Sequence, residues 1–457
     1  MLKRKMYKKM SAWKATPKRK VFILMGARQT GKTFLIRAFA KANYPFFVEV
    51  NFLEDKKNGA FLSGADGAQE LVSRLSLLAE HELEPGTLVF FDEVQAASDV
   101  ITLSKFLLDD GRFDLVLSGS LLGTALEGIT SFPVGYAHIE RMYPLDFEEF
   151  CWAFGVPDSI IEEVVAHYNA KTPLEQSLHT RLIALFRRYI AVGGMPEVIQ
   201  RFIETHLDFG VSRNSALDIV EQYRFDIVKY SLGRKLQTRT IFDAMPAQLA
   251  KENKRFMMKS VKNGATYERL NDDFAWLVNA GVALPACIAL EPKYPLIRTR
   301  VSKKFKLYSS DCGLLLAQYP KAVTMSLIEG DKNVNFGAIY ENAVAQELQA
   351  AGFDLYYYHH SRKGEMDFLL ETDAGSVLPI EVKSGKDYKL HTALNNLLGT
   401  EEYGIPFAYV LSEHNVSLGT REGKPVYYLP IYMSLCLALE KTDDLSGIKA
   451  APLSFDD

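Results

Sequence analysis

The chain has 457 residues, 48% hydrophobic and 24% charged, with a net charge of −3. At about 150 residues per domain this ordinary globular balance implies about three domains, and it gives no global reason to expect a polyanion partner. The four cysteines, Cys151, Cys287, Cys312 and Cys436, are scattered without CxxC spacing, and no apolar run reaches the ~18 residues of a membrane span. We therefore expect no zinc site, no membrane segment and a reducing, cytoplasmic setting.

Nine Lys or Arg fall within the first twenty residues, from Lys3 to Lys20, without the apolar segment of a secretory signal. Such an arm can touch nucleic acid, or it can be solvated and lead into the first strand; the second is expected. Residues 21–25 then form a short apolar run, followed by a glycine-containing loop and a helical stretch from Thr33. Apolar runs recur at 46–50, 88–91 and 115–117, with helical patterns between them at 69–81 and 101–108. Alternating strands and helices predict a parallel sheet covered by helices, an α/β unit over residues 1–150.

From residue 151 strand signals vanish. Leu182, Leu185, Phe186, Tyr189 and Ile190 recur at helical spacing, and Gly193-Gly194-Met195-Pro196 is a helix-stopping turn. A helical lid is expected over 151–239. Helices before short strands near 282–290 and 304–309 predict a winged-helix-like module over 240–330. Its basic residues include Lys251, Lys254, Arg255, Lys303 and Lys306, which could meet DNA phosphates; its aromatics, such as Phe256 and Phe274, are expected in the core. A second α/β domain is expected over 331–440, with a helix at 336–350 and strands near 354–359, 366–371, 377–383, 407–411 and 426–431. A polar tail, 441–457, ends the chain.

Two motifs carry phosphate chemistry. Gly26-Ala27-Arg28-Gln29-Thr30-Gly31-Lys32-Thr33 is a complete G-x-x-x-x-G-K-[ST] loop between a strand and a helix. Its amides and the helix N-terminus suit a phosphate, Lys32 can reach the β- and γ-phosphates, and the Thr33 hydroxyl can ligate magnesium. Downstream, an apolar strand delivers Asp92, expected to hold magnesium, and Glu93, expected to polarise the attacking water. ATP and magnesium are the expected cofactors. Ser118 or Ser120, at the tip of the next strand, is placed to sense the γ-phosphate.

The order of these motifs resembles that of AAA-type ATPases. Further residues narrow the likeness: Asp92-Glu93-Val94-Gln95, Tyr143-Pro144-Leu145-Asp146-Phe147-Glu148-Glu149-Phe150, Gly193-Gly194-Met195-Pro196, Leu307-Tyr308 with Asp311-Cys312-Gly313, and Gly337 with Glu341-Asn342. Together they resemble a bacterial and archaeal AAA-type family whose C-terminal domain is related to archaeal Holliday-junction resolvases. Many of its members are known only as ATP-binding proteins. Where that family often has Gly-Arg after the sensor strand, this chain has Gly135-Tyr136; Arg141 is the nearby candidate for acting on a neighbour's nucleotide, and ATP-driven oligomerisation is in doubt.

In the C-terminal unit, Asp367 is a lone acid in an apolar strand, opposite in facing to Met366, Phe368 and Leu370. Glu381 and Lys383 share a face of the next strand. If the strands are adjacent, Asp367 and Glu381 converge on a divalent metal, Glu341 is a further ligand, and Lys383 can steady a phosphorane-like transition state. This pattern resembles the PD-(D/E)XK nuclease fold, a restriction-endonuclease-like α/β domain. Arg362, Lys363, Lys386 and Lys389 would suit a phosphate backbone, and His359-His360 read as strand-end residues. The expected activity is magnesium-dependent ATP hydrolysis coupled to a DNA-binding domain that could also cleave DNA. The alternatives are an ATP-operated switch whose C-terminal domain binds DNA or protein without cutting, and a protein remodeller.

Overall fold

The computed structural model describes residues 2–441 apart from 55, 81, 121–133, 231–234, 332–333, 386–388 and 390–391; Lys386 and the tail beyond 441 lie outside the described residues. The basic start is not a solvated arm. It forms helix α1 (Lys5–Ala15), which buries Met6, Met10 and Trp13 at helical spacing against Phe22, Leu24 and Phe39. Several of its cations are paired: Lys3 with Asp158 at 2.9 Å, Lys5 with Asp146 at 2.6 Å and Glu148 at 2.7 Å, Lys9 with Glu140 at 2.7 Å. The acidic Asp146–Glu149 segment is thus the receptor for α1.

Strands β1 (Val21–Met25), β2 (Phe46–Asn51), β3 (Thr87–Asp92), β4 (Asp114–Gly119) and β5 (Ala137–Arg141) pair in parallel in the order β2-β3-β4-β1-β5. Along β1, Val21, Ile23 and Met25 enter one core while Phe22 and Leu24 enter the other, the period of two that a sheet covered on both faces requires. Helix α2 (Lys32–Asn43) covers the second face; α3 (Lys56–Ser63), α4 (Ala68–Ala79) and α5 (Ser98–Asp110) cover the first. The sequence Ala-His-Ile-Glu-Arg of β5 carries no apolar run because this edge strand is mostly exposed.

Helices α6 (Phe147–Ala153), α7 (Asp158–Ala170), α8 (Gln176–Val192), α9 (Pro196–Glu204), α10 (Phe209–Tyr230), α11 (Lys235–Leu249) and α12 (Tyr267–Asn279) follow. The second sheet has the order β12-β13-β11-β10-β9-β8-β6-β7. Its strands are β6 (Ala283–Ala289), β7 (Arg300–Ser309), β8 (Tyr356–His360), β9 (Gly364–Glu371), β10 (Val377–Val382), β11 (Ala408–Ser412), β12 (Ser417–Arg421) and β13 (Lys424–Pro430). Helices α13 (Cys312–Ala317), α14 (Lys321–Glu329), α15 (Gly337–Ala350) and α16 (Thr392–Leu398) complete it.

The β6–β7 pair expected to be a wing is instead the end of this sheet. Cys287 of β6 pairs in parallel with Tyr356 of β8, so the sheet runs across the boundary drawn at residue 330. A wing would be solvated, whereas β6 is buried along almost its whole length. One hydrophobic core accordingly extends from Leu145 through the helices to Leu437.

Three of the motifs that carry the family resemblance, those around Leu145, Gly194 and Asp311, meet at one polar junction within this core. The Gly194 carbonyl accepts from the Leu145 amide at 2.7 Å, and the Gly194 amide donates to Asp311 at 2.6 Å. Asp311 also caps α13 by accepting from Leu314 at 2.8 Å. Gln346 of α15 accepts from Cys312 N at 2.8 Å and donates to the Leu145 carbonyl at 3.2 Å. Glu347 accepts from Phe147 N and from the Tyr189 hydroxyl, each at 2.8 Å. Burial, with Asp146 nearby, pushes the Glu347 carboxyl up to about 8.

Candidate functional site

The loop between β1 and α2 is held close to the chain that enters α6. Gly26 has φ 150°, and a Cβ there would lie 2.2 Å from the Met142 carbonyl oxygen, so only glycine fits. Lys32, at the start of α2, turns back into the loop and donates to the Gly26 and Ala27 carbonyls at 2.8 and 2.7 Å. Burial lowers its amine to about 8, opposed by the charges of Glu93 and Asp92.

Thr33 Oγ1 donates to Asp92 Oδ2 at 2.9 Å. Asn51, paired with Asp92 in the β2–β3 register, reaches the same oxygen at 3.4 Å, and Ser118 donates to Asp92 Oδ1. Burial raises the Asp92 carboxyl above its ordinary range. The Thr33 hydroxyl and the Asp92 carboxylate are hard oxygen donors of the kind magnesium takes, while Asn51 turns its amide nitrogen to Asp92 and its oxygen to the Leu53 and Glu54 amides.

Glu93 follows with φ 53°, a left-handed conformation unusual for a glutamate. Its carboxylate accepts from Ser120 Oγ at 3.1 Å and from Gln95. The two serines therefore divide: Ser118 serves Asp92 and Ser120 serves Glu93. Arg28 Nε donates to Ser120 Oγ at 3.4 Å and its guanidinium pairs with Asp226 of α10. Gln29 donates to Gln222 at 2.6 Å, and Tyr223 donates to the Arg28 carbonyl at 3.0 Å. So α10 grips the P-loop, a role the sequence did not announce because long-range pairing leaves no local pattern. A cavity of about 270 Å³, lined by Leu2, Arg4, Gln29, Gly31, Phe34 and Pro196 among others, opens on the other side of Gly31. Arg4 helps shape it: buried, it donates to the Thr30 and Tyr143 carbonyls at 2.9 and 2.6 Å. Asn51, Ser120 as a Glu93 partner and Arg4 were missed in the sequence; of these only Asn51, a polar residue closing an apolar strand, left a signal.

A second cluster lies on the other sheet. Glu341 of α15, Asp367 of β9, and Glu381 and Lys383 at the end of β10 all line one cavity of about 600 Å³, with His359 and His360 at its wall. Strand pairing of Phe368 with Ile380 brings the two acids side by side. Each acid is already engaged. Asp367 Oδ2 accepts from Val382 N at 2.9 Å, and Glu381 pairs with Lys383 at 2.7 Å. Lys306, with no exposed side-chain surface, lies 2.6 Å from Glu365, 3.4 Å from Glu341 and 3.6 Å from Asp367. Lys254 pairs with Glu341, which also accepts from the Tyr308 hydroxyl at 3.2 Å.

Burial, reinforced by Glu341, pushes the Asp367 carboxyl up to about 7. Burial would also raise Glu341, but Lys306 and Lys254 outweigh it and hold that carboxyl at about 2. Among the described residues no three acidic, imidazole or thiol side chains assemble as a metal-binding set. In this geometry the expected ligands Glu341, Asp367 and Glu381 therefore do not fit a metal ion, because lysine ammonium groups hold the acids instead. Lys306, expected to face DNA phosphate, is a buried counter-ion, and Lys303 pairs with Glu268. Arg141, at the exposed end of β5, lines a cavity of about 210 Å³ with Tyr143, Arg300 and Asp354 of the same chain.

A five-stranded parallel sheet, a G-x-x-x-x-G-K-T loop closing on α2 and a neighbouring strand ending in Asp92-Glu93 define a P-loop domain. Residues 18–151 match the AAA domain family, so this N-terminal unit is a P-loop domain of AAA type. Residues 183–333 match a domain of unknown function, DUF8612, and residues 336–432 another, DUF4143. No curated protein matches the chain. Solved structures similar to it include the Aeropyrum pernix Orc1 protein in complex with DNA, at 12% identity and TM-score 0.27, covering 72% of this chain and 91% of that one. Cdc6p from Pyrobaculum aerophilum gives 13% identity and TM-score 0.24, covering 70% and 91%. Likenesses this distant carry no argument about what this chain does. Among the described residues no helix is long and apolar enough to cross a membrane.

Proposed function

We propose that the chain binds ATP with magnesium, hydrolyses it, and uses the cycle to operate the C-terminal cleft as a DNA-binding module. The observation that carries this reading is the contact of Thr33 with Asp92 at 2.9 Å, directly beside Lys32 on a P-loop. Thr33 and Asp92 would hold the ion, with Asn51 beside them; magnesium, when bound, offsets the charge between the β- and γ-phosphates. Lys32 exchanges the Gly26 and Ala27 carbonyls for phosphate oxygens. Glu93 orients the attacking water, and Ser118 and Ser120 steady the two carboxylates. The largely apolar cavity beside Gly31 suits the base.

Support for DNA comes from the cleft's size and from exposed Arg362, next in the chain to Ser361 of its wall; Lys363, by contrast, donates to Thr400 and Tyr403. The lysines seated among the acids favour the non-cleaving reading of this cleft, a nucleotide-operated switch. The test is ATP turnover with and without single-stranded, duplex and branched DNA. We expect stimulation by one form. Lys32→Ala should reduce turnover at least about 100-fold, as loss of a principal transition-state contact does; full turnover in that variant refutes the assignment. DNA cleavage by wild type in magnesium or manganese, lost in Asp367→Ala, would restore the nuclease reading.

A further inference from the structure

The cavity of about 210 Å³ that holds Arg141 belongs to neither cluster described above. One wall comes from the end of β5, through Arg141 and Tyr143; the others come from α15, from β6 and from Arg300, the first residue of β7. Gly281, also on the lining, abuts the P-loop: a Cβ there would lie 3.0 Å from Ala27 N. These walls are firm. Strand β6 is buried along almost its whole length and is paired on both sides, with β7 and with β8. Gln349 of α15 donates to the Tyr143 hydroxyl at 3.2 Å.

The chemistry of the lining is uneven. Arg141 and Arg300 stand against a single acid, Asp354, so the lining carries a net positive charge. The Arg141 guanidinium makes no hydrogen bond or ion pair with another described residue. Arg300 is hydrogen-bonded to the Cys287 thiol and is ion-paired to none of the described carboxylates. Most of the remaining lining is apolar, including Val278, Ala283, Leu284, Pro285 and Leu355.

Two guanidinium forks without a carboxylate to occupy them match the paired oxygens of a phosphate or a carboxylate. The volume is below the ~300 Å³ at which drug-sized sites begin, so the body of a ligand is limited to a single ring or a short chain. We infer that this cavity is a binding site for a small organic anion, its one phosphate or carboxylate group held between Arg141 and Arg300 and its body resting on the apolar lining. The site is separate from the P-loop and does not depend on how the P-loop is read. It gives Arg141 a role within its own chain.

Cys287 provides a local reporter for the test. It lines the cavity with 8% exposure, whereas Cys151, Cys312 and Cys436 have at most 1%. The full chain is treated with methyl methanethiosulfonate, and labelling of Cys287 is followed by mass spectrometry with and without a probe. The probes are phenyl phosphate and benzoate, with neutral benzyl alcohol as control. Each is taken to about 10 mM, since a fitting ligand of about ten heavy atoms binds at about millimolar or better. Labelling should slow at least about fivefold at saturating anion, as the free fraction falls with occupancy. Which anion protects at lower concentration distinguishes phosphate from carboxylate. Arg141→Gln and Arg300→Gln, each compared with and without probe, should raise the half-protecting concentration about tenfold or more, the scale of a lost charge-assisted hydrogen bond. Lys32→Ala should leave protection in place, because the P-loop takes no part. Broadening of the probe's own proton NMR lines is measured on the same four chains and needs no reactive thiol. Absence of both protection and saturable broadening overturns the inference. So does equal protection by benzyl alcohol, binding that survives both arginine substitutions, or binding lost in Lys32→Ala.

Discussion

Single side chains here do work that their residue type conceals. Glu347 is an acid at the centre of the polar junction, accepting from Phe147 N and the Tyr189 hydroxyl at 2.8 Å while burial and Asp146 push its carboxyl up to about 8. An unfolded glutamate ionises near the reference value of about 4.3. Between these values the unfolded chain releases a proton that the folded chain keeps, so stability from this group falls as pH rises across that window. Glu347→Gln keeps a carbonyl oxygen for both donors and removes the titration. We expect the variant's melting temperature to lose part of the decline from about pH 5 to pH 8 and to exceed wild type at pH 8 by the equivalent of about 1 kcal/mol or more, since a tenfold difference in proton affinity between the folded and unfolded chain is worth about 1.4 kcal/mol. Parallel melting curves for the two proteins over that range would show that Glu347 is not held protonated. Glu93 illustrates a different concealment: its left-handed backbone and its two hydroxyl and amide donors aim a carboxylate at the sheet edge, and nothing in the letters Asp-Glu-Val-Gln states that geometry.

At the scale of elements, the turn between α8 and α9 is a point of close backbone approach. A Cβ on Gly194 would lie 2.1 Å from the Leu145 carbonyl oxygen and 2.7 Å from its nitrogen, both backbone atoms that cannot step aside. Gly194→Ala should therefore destabilise by about 3 kcal/mol or more, at the upper end of overpacking costs. Gly135→Ala, with nothing within 4 Å of the added carbon, should change stability by less than about 0.5 kcal/mol. Urea midpoints compare them, and equal midpoints would mean that the α8–α9 turn yields freely. The same scale explains what could be read in advance. The three inner strands of the P-loop sheet, β1, β3 and β4, were legible because each is a short apolar run buried on both faces, and edge strand β2 because most of its residues are apolar. Edge strands β5 and β12 were not, since their exposed positions carry polar residues that break up any apolar run. Helix α1 was hidden because the nine cations of the first twenty residues overwhelm its three buried apolar residues. The P-loop and the Asp92-Glu93 strand were visible because their chemistry depends on local spacing. The grip of α10 on Arg28 and the entry of Lys254 and Lys306 among the acids were invisible, since each joins residues brought together only by tertiary packing.

Across the whole molecule the apolar cores are unequally shared. The P-loop sheet has two cores of its own, one on each face. The helices from α6 onward and the eight-stranded sheet share a single core from Leu145 to Leu437, in which the hairpin β6–β7 belongs to the C-terminal sheet rather than to a separate module. Elements that bury one continuous core lose it together, so unfolding units should follow cores rather than segments of sequence. Calorimetry of the full chain is therefore expected to resolve no more than two transitions: one for the P-loop sheet, and one for the helices and eight-stranded sheet together. Nucleotide with magnesium should raise the first directly, by about 2.7 kcal/mol at a hundredfold excess over its dissociation constant. Because Arg28 and Gln29 tie the P-loop to α10, the second transition should move upward with it by a smaller amount. A third transition in which the C-terminal sheet melts apart from the helices, at a temperature indifferent to nucleotide, would refute the single shared core and, with it, the mechanical route from the P-loop to the carboxylate cleft.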